Sequence, residues 1–313
     1  LCLNLVWSGD VIAMEQSPAA IVIAAFGTTH ISTLDSLLSI VRDTQDTYPE
    51  TPVRMAFTSN IIRKRWQQRD KDKDYRAQHP QVPESIYQIK NILGALADLQ
   101  NLGYKTIVVQ PTLLTHGEEY RDLQNYIAGL LSISTVKRRW QPFDKISLGR
   151  PLLGSAESSH PLSVDLQALA VALADDAHQA EREQSALLYI GHGNEHLSNS
   201  IYSEMQQMMT ETYPKVKTLI GLVEGLPGQD EVLAELKKTG IDRVLLKPLM
   251  IVAGDHAKND MAGDDENSWN TRLTAVGIGT NPVLKGLGDN PSIRKIFIKH
   301  LQDAATEAGI ELR

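Results

Sequence analysis

Ala-Leu-Leu-Tyr-Ile-Gly-His-Gly (186 to 193) is a short apolar run closed by a histidine between two glycines, and it has a counterpart near the start of the chain. There, Ala19 to Phe26 is apolar and is followed by Gly-Thr-Thr-His (27 to 30). Short runs of this kind, rich in β-branched residues and separated by stretches of helical period, mark βαβ units with a buried parallel sheet. The remaining strand candidates are Val53 to Phe57, Thr106 to Gln110, Ile146 to Leu148, Thr218 to Val223 and Arg243 to Val252. Three amphipathic stripes lie between or after them: Leu34, Leu37, Leu38 and Val41; Ile86, Ile89, Leu93 and Leu96; and Ile293, Ile296, Phe297 and Leu301. Such stripes report core-facing helices and carry no chemistry.

The echo extends through both halves. After its third strand the first half runs Gln-Pro-Thr-Leu-Leu-Thr-His-Gly-Glu-Glu-Tyr (110 to 120), and the second runs Lys-Pro-Leu-Met-Ile-Val-Ala-Gly-Asp-His (247 to 256). Internal similarity at this scale predicts two similar α/β lobes, each a parallel sheet flanked by helices, with the active site in the cleft between them. Pro, Gly and Ser cluster at Arg150 to Ser159, which places the lobes at residues 19–150 and 151–313, after an N-terminal extension of residues 1–18.

Composition narrows the chemistry. The 313 residues hold one cysteine, Cys2, so disulfide frameworks and Cys-based zinc or iron–sulfur sites are excluded and metal ligands must be His, Asp or Glu. Lys and Arg number 31 against 38 Asp and Glu, a net charge of −7 without a long basic run; this argues against nucleic-acid and anionic-membrane partners and leaves a homo-oligomer open. No apolar stretch approaches the roughly 18 residues of a membrane span. Leu1 to Trp7 is apolar and Val-Ile-Ala (11 to 13) has the small-residue form of a signal-peptidase site, yet a charged leading region is missing. The expectation is a cytoplasmic protein, with the periplasm as alternative. Phosphate-cradling glycine patterns and Gly-x-Ser-x-Gly elbows are absent, so no organic cofactor is expected.

His192, Glu224 and His256 each stand at the tip of a separate strand candidate in the second half, at equal intervals of 32 residues, the length of successive βαβ units. Ligands of open α/β sheets bind at such tips. Taken singly, a loop-bonding histidine and a solvated strand-end acid explain them as well. Together, two imidazoles and one carboxylate suit Co, Ni, Fe or Zn, with positions left open for substrate, and a hydrolytic zinc enzyme uses the same set. From the first half, Thr28, Thr29, His30, His116, Glu118 and Glu119 face the same cleft, and Gly193 gives the backbone room beside His192. Glu119 is read either as a proton acceptor or as an acid favoured at a helix N-terminus. His196 and His30 are read as supporting or surface residues; His79, His160, His178 and His300 as surface or helix residues without a role.

From Ala20 to the C-terminus the chain resembles the anaerobic-pathway sirohydrochlorin cobaltochelatases, relatives of the class II tetrapyrrole chelatases that include ferrochelatase. The resemblance is carried by Ala-Phe-Gly-Thr-Thr (25 to 29), Ala-Phe-Thr-Ser-Asn-Ile-Ile-Arg-Lys (56 to 64), Gly-Glu-Glu-Tyr (117 to 120), Gly-His-Gly (191 to 193), Val-Glu-Gly (223 to 225) and the long stretch Pro248 to Trp269. It implies insertion of Co²⁺, as substrate metal, into sirohydrochlorin with release of two protons in anaerobic cobalamin biosynthesis. The equivalents of His192, Glu224 and His256 would hold the metal, His192, His256 and Glu119 would be catalytic, and Thr28, Thr29, His116 and Gly193 would contact the macrocycle. Iron or nickel insertion into the same macrocycle is the alternative within enzymes, and a non-catalytic periplasmic binder of metal or tetrapyrrole the alternative outside them. Some periplasmic members bind haem through a His after the Gly-Glu-Glu-aromatic motif; Arg121 stands there, so haem is not expected.

Overall fold

The computed structural model describes residues 18–156, 159–194 and 197–313. The expectations for residues 1–17 and for His196 lie outside the described residues.

Strands β1 (Ala19–Ala25), β2 (Val53–Phe57), β3 (Thr106–Pro111) and β4 (Lys145–Leu148) form one parallel sheet in the order β2-β1-β3-β4. Strands β5 (Ala186–Gly193), β6 (Thr218–Glu224), β7 (Arg243–Leu249) and β8 (Gly279–Pro282) form a second in the order β6-β5-β7-β8. The internal echo is thus an identity of topology. Residues 20 to 25 of β1 and 186 to 190 of β5 are buried throughout, as expected where helices cover both faces of a sheet. In each sheet the second strand lies on one side of the first and the third on the other. The carboxyl ends of β1 and β3, and of β5 and β7, therefore flank a crevice, the place where parallel sheets bind ligands.

Two of the three stripes depart from the sequence reading. Ile86 to Leu96 is not one helix: Glu84–Tyr87 and Ile92–Asn101 are separated by extended chain at Lys90, whose carbonyl accepts the N–H of Phe57 (2.9 Å). Asn91 then caps the next helix through Gly94 N–H. Ile86 and Ile89 consequently pack around Trp66, Leu96 joins a different cluster under β3, and Leu93 is exposed. Ile293, Phe297 and Leu301 do form a buried face, on helix Pro291–Glu307, but that helix crosses back to pack on β3 and β4 of the first sheet. Ser147 Oγ donates to Ala304 O (2.8 Å) at this contact. Residues 151–313 therefore do not all stay with the second lobe, and one apolar cluster holding Ile21, Val108, Leu187, Leu245 and Phe297 runs through both sheets.

Polar groups fix this crossing. Arg150 donates to both carboxylate oxygens of Asp165 (2.7 and 2.9 Å) and to Asp303 (2.9 Å), while His300 lies 3.1 Å from Asp165 Oδ1. His300, read as a surface or helix residue, is buried, because the helix that carries it is sandwiched between the lobes. Burial alone would raise the Asp165 carboxyl, but hydrogen bonds from His300 and Arg150 outweigh it and hold the group at about 2 instead of 3.8.

A depressed folded-state value adds stability that is present above the unfolded value near 3.8 and lost as pH falls through about 2. For Asp165 this amounts to about 2 kcal/mol at neutral pH. Urea unfolding should therefore show Asp165→Asn destabilised at pH 7, with its deficit against wild type shrinking between pH 4 and pH 2.5; a deficit that stays constant over that range would rule the coupling out.

Candidate metal-binding cleft

His192 is the seventh residue of β5, which runs past the apolar run Ala186 to Ile190 by three residues, to Gly193. Parallel pairing sets Gly193 opposite Glu224, the last residue of β6. A Cβ on Gly193 would lie 1.8 Å from the Glu224 carbonyl oxygen, and Gly193 has φ +87°, so only glycine lets the two strand ends come this close. The result is His192 Nδ1 standing 3.7 Å from Glu224 Oε2.

His256 arrives from the loop after β7, just before a single π turn, Ala257–Met261. Its ring stands almost perpendicular to that of His192, with centroids 4.6 Å apart. Nδ1 of His256 is 2.6 Å from Asp260 Oδ2, one helical turn on, and Nδ1 of His192 is 3.1 Å from Gly193 O. Each Nδ1 has an acceptor beside it, which favours the tautomer with the lone pair on Nε2. A carboxylate or carbonyl behind an imidazole in this way is the usual support of a metal-binding histidine. All three side chains are partly exposed, at 44, 42 and 43 % for His192, Glu224 and His256, as ligands open to an incoming substrate must be. The donors meet pairwise: among the described residues no three of them already close on a common metal point. Glu224 stands on the Nδ1 side of His192, so sharing an ion with both imidazoles requires its side chain to turn.

A cavity of about 350 Å³ opens before the two histidines, lined from the second lobe by His192, Gly193, Tyr202 and His256 and from the first by Thr28, Thr29, Leu113 and Glu119, with Glu224 outside the lining. Glu119 is the second residue of helix Glu118–Leu131, across the cavity from the two histidines. His30 spans the lobes, its Nε2 2.6 Å from Asp255 Oδ1, and Lys258 Nζ donates to Ser32 Oγ beside it.

Two residues expected to contact the substrate are engaged in hydrogen bonds of their own. Thr28 borders the cavity, but its hydroxyl is buried, bonded to Thr33 Oγ1 (2.8 Å) and accepting from His30 N–H; it shapes its own loop. His116 is absent from the cavity lining and turns to Ser155, its Nδ1 2.7 Å from that hydroxyl and its ring edge-on to Tyr120. Thr29 does border the cavity, while its carbonyl accepts from Arg69. Sequence reasoning missed Asp260, which sits in an acidic string read as a surface loop or a metal funnel. Its distance of four residues from His256 was the available signal. It also missed Asn199, which accepts from Asn194 N–H and donates back to Asn194 O, bracing the loop after His192.

Residues 19–306 match the family model described as cobalt chelatase (CbiK). The sirohydrochlorin cobaltochelatase of Salmonella typhimurium (strain LT2) is 33% identical over 292 residues, covering 92% of this chain and 97% of the relative. The sirohydrochlorin cobaltochelatase CbiKC of Nitratidesulfovibrio vulgaris (strain Hildenborough) is 30% identical over 293 residues, covering 94% and 93%. Among solved structures, the sirohydrochlorin chelatase SirB of Bacillus subtilis subspecies spizizenii in complex with cobalt superposes with a TM-score of 0.56 at 13% identity, over 93% of this chain and 97% of that one. CbiX, described as the terminal enzyme of sirohaem biosynthesis in denitrifying bacteria, gives 0.50 at 15% identity, over 91% and 99%. The two structures establish a common fold.

If Asp260 orients His256, Asp260→Ala should weaken Co²⁺ binding, measured by calorimetric titration, by about 10- to 100-fold. Asp260→Asn, which still offers an oxygen to Nδ1–H, should recover most of it. Equal affinities in all three proteins would show that the contact has no bearing on the metal.

Proposed function

The chain belongs to the cobalt chelatase (CbiK) family, and from that premise we propose that it inserts Co²⁺ into sirohydrochlorin in anaerobic cobalamin biosynthesis. The observation that carries the reading is the approach of His192 and His256 to 4.6 Å between ring centroids at the edge of a cavity that Glu119 enters from the other lobe. Relatives named sirohydrochlorin cobaltochelatase at 30 to 33% identity along nearly the whole chain supply the substrate and the metal.

Insertion exchanges a dication for two pyrrole protons, so the site must present an ion on one side and accept protons on the other. In the proposed arrangement His192, His256 and, after rotation, Glu224 hold Co²⁺ on the second-lobe wall. The macrocycle lies against the apolar lining formed by Leu113, Leu114, Met250 and Ile251, and Thr29 and Gly193 bound it at either lobe. Pyrrole nitrogens replace the protein ligands one at a time, so no fully desolvated ion forms between the two coordination shells. Glu119 takes the displaced protons. Among the described residues it has no hydrogen-bonding or ionic partner that would compete for them. Binding energy spread over the macrocycle supplies the distortion that turns nitrogen lone pairs toward the metal.

Absorbance of sirohydrochlorin incubated with Co²⁺ and a few per cent of an equivalent of protein separates the readings. A catalyst turns over many equivalents, whereas a binder stops at stoichiometry. His192→Ala and His256→Ala should each lower the insertion rate by more than the roughly 10- to 100-fold that loss of a partner behind a ligand costs. Glu119→Gln should lower kcat by about 100-fold with Co²⁺ affinity kept, within the usual range for a general base. Wild-type rates in both histidine variants would refute the metal site, and faster turnover with Fe²⁺ or Ni²⁺ in direct competition would reassign the metal.

A further inference from the structure

Gly-Thr-Thr-His-Ile-Ser-Thr (27 to 33) leaves β1 as a loop whose threonines are spent on the loop itself. Thr28 Oγ1 bonds Thr33 Oγ1 (2.8 Å) and accepts from His30 N–H (3.1 Å), and Thr33 Oγ1 donates to His30 O (3.1 Å). Helix Asn60–Lys71 fixes the loop further: Trp66 Nε1 donates to Thr28 O (2.8 Å) and Arg69 to Thr29 O (2.6 Å). Trp66 is fully buried, so this support cannot shift without disturbing a close-packed core. A rigid loop thus carries two side chains, His30 and Ser32, that reach the other lobe.

Both arrive on the stretch that bears His256. His30 Nε2 lies 2.6 Å from Asp255 Oδ1, and Lys258 Nζ donates to Ser32 Oγ (3.2 Å). His256 is bracketed by one contact a residue before it and another two residues after it, both made to a three-residue segment of the first lobe. Inside the bracket Lys258 N–H donates to Gly254 O (3.0 Å), and Asp260, on the same π turn, stands behind Nδ1 of His256. Displacing Asp255 therefore moves the imidazole together with its carboxylate support. Asp255 borders the cavity and His30 does not.

We infer that His30 is a positioning residue that, through Asp255, holds His256 where the metal is presented, so that ligand geometry in the second lobe is set in part by the first. The inference rests on the reading of His256 as a metal ligand given above. His30 meets neither ion nor macrocycle, and it acts through the stretch it grips.

Calorimetric titration of the full chain with Co²⁺ tests this. His30→Ala and Asp255→Ala should each weaken binding about three- to fivefold, the upper range for a partly exposed imidazole–carboxylate contact. Because both remove the same contact, the double variant should stay within about 1.5-fold of the weaker single one. His30→Gln, whose amide still offers an N–H to Asp255, should regain most of the affinity. The visible absorption of bound Co²⁺, which reports ligand geometry, should change in His30→Ala and return in His30→Gln. Without metal, hydrogen exchange at Lys258 N–H should quicken in His30→Ala. Wild-type affinity and spectrum in His30→Ala, or unchanged exchange there, would overturn the inference. So would losses that multiply to about 10-fold or more in the double variant, since Asp255 would then act on the ion independently of His30. A wild type that binds Co²⁺ but inserts none sinks the functional reading and leaves these titrations to decide the inference; a wild type that binds no Co²⁺ removes both.

Discussion

Arg150, buried between Asp165 and Asp303, is the interaction on which the arrangement of the two sheets depends. It stands two residues beyond the end of β4, Asp165 belongs to helix Leu162–Ala172, and Asp303 to the helix that returns from the second lobe. Taking a guanidinium out of water costs several kcal/mol unless it is paired and hydrogen-bonded, and here each of its three nitrogens donates to a carboxylate. Sliding one sheet against the other would strand a charge in an apolar core that itself runs through both sheets. The non-directional hydrophobic contact supplies most of the cohesion between lobes, and the ion cluster supplies the direction. Orientation matters because the cleft is nothing but the gap between two carboxyl edges.

Within that frame, the absence of side chains does as much as their presence. Gly193 and Glu224 are neighbours in register, and the missing Cβ at Gly193 allows the carbonyl of one strand end to occupy space a side chain would take. Gly117 does the same between lobes, where Asn194 fills the vacant volume. These positions are steric conditions for bringing His192 near Glu224 and the Glu119 loop near the Asn194 loop. A methyl group at Gly193 would displace the Glu224 backbone, which a close-packed interior cannot absorb by small adjustments, and one at Gly117 would displace the Asn194 side chain.

What the sequence disclosed follows the same division. The parallel sheets were legible because burial on both faces leaves nearly unbroken apolar runs, and the repeated order of elements disclosed the identical topologies. His192 and Glu224 were legible as strand-end residues, whereas His256 stands in the loop beyond β7 and not at the strand's tip. The helix break at Lys90 was not legible, since periodicity continues across it while the deciding bond, Phe57 N–H to Lys90 O, joins residues far apart in the chain. The partners of Thr28 and His116 were not legible for a related reason. A polar residue in a loop looks the same in sequence whether it turns to a ligand or, as these do, to Thr33 and Ser155. Asp260 carries a third kind of information, a hydrogen bond to the far side of a functional group, which leaves no periodic trace.

The cleft also divides its charges between the lobes. Proposed metal donors come from the second lobe alone, the proposed proton acceptor from the first, and the cavity between them is lined mainly by apolar groups such as Leu113, Leu114, Met250 and Ile251. Charges interact more strongly across such a medium than across water. A carboxylate placed beside the histidines would be drawn to the cation as a further ligand, slowing its release to the macrocycle, and would then be unable to take up protons. Held on the opposite wall, Glu119 stays a base while the ion stays where the nitrogens can reach it. Two lobes of the same topology, facing each other across their carboxyl edges, supply that separation without any further element of structure.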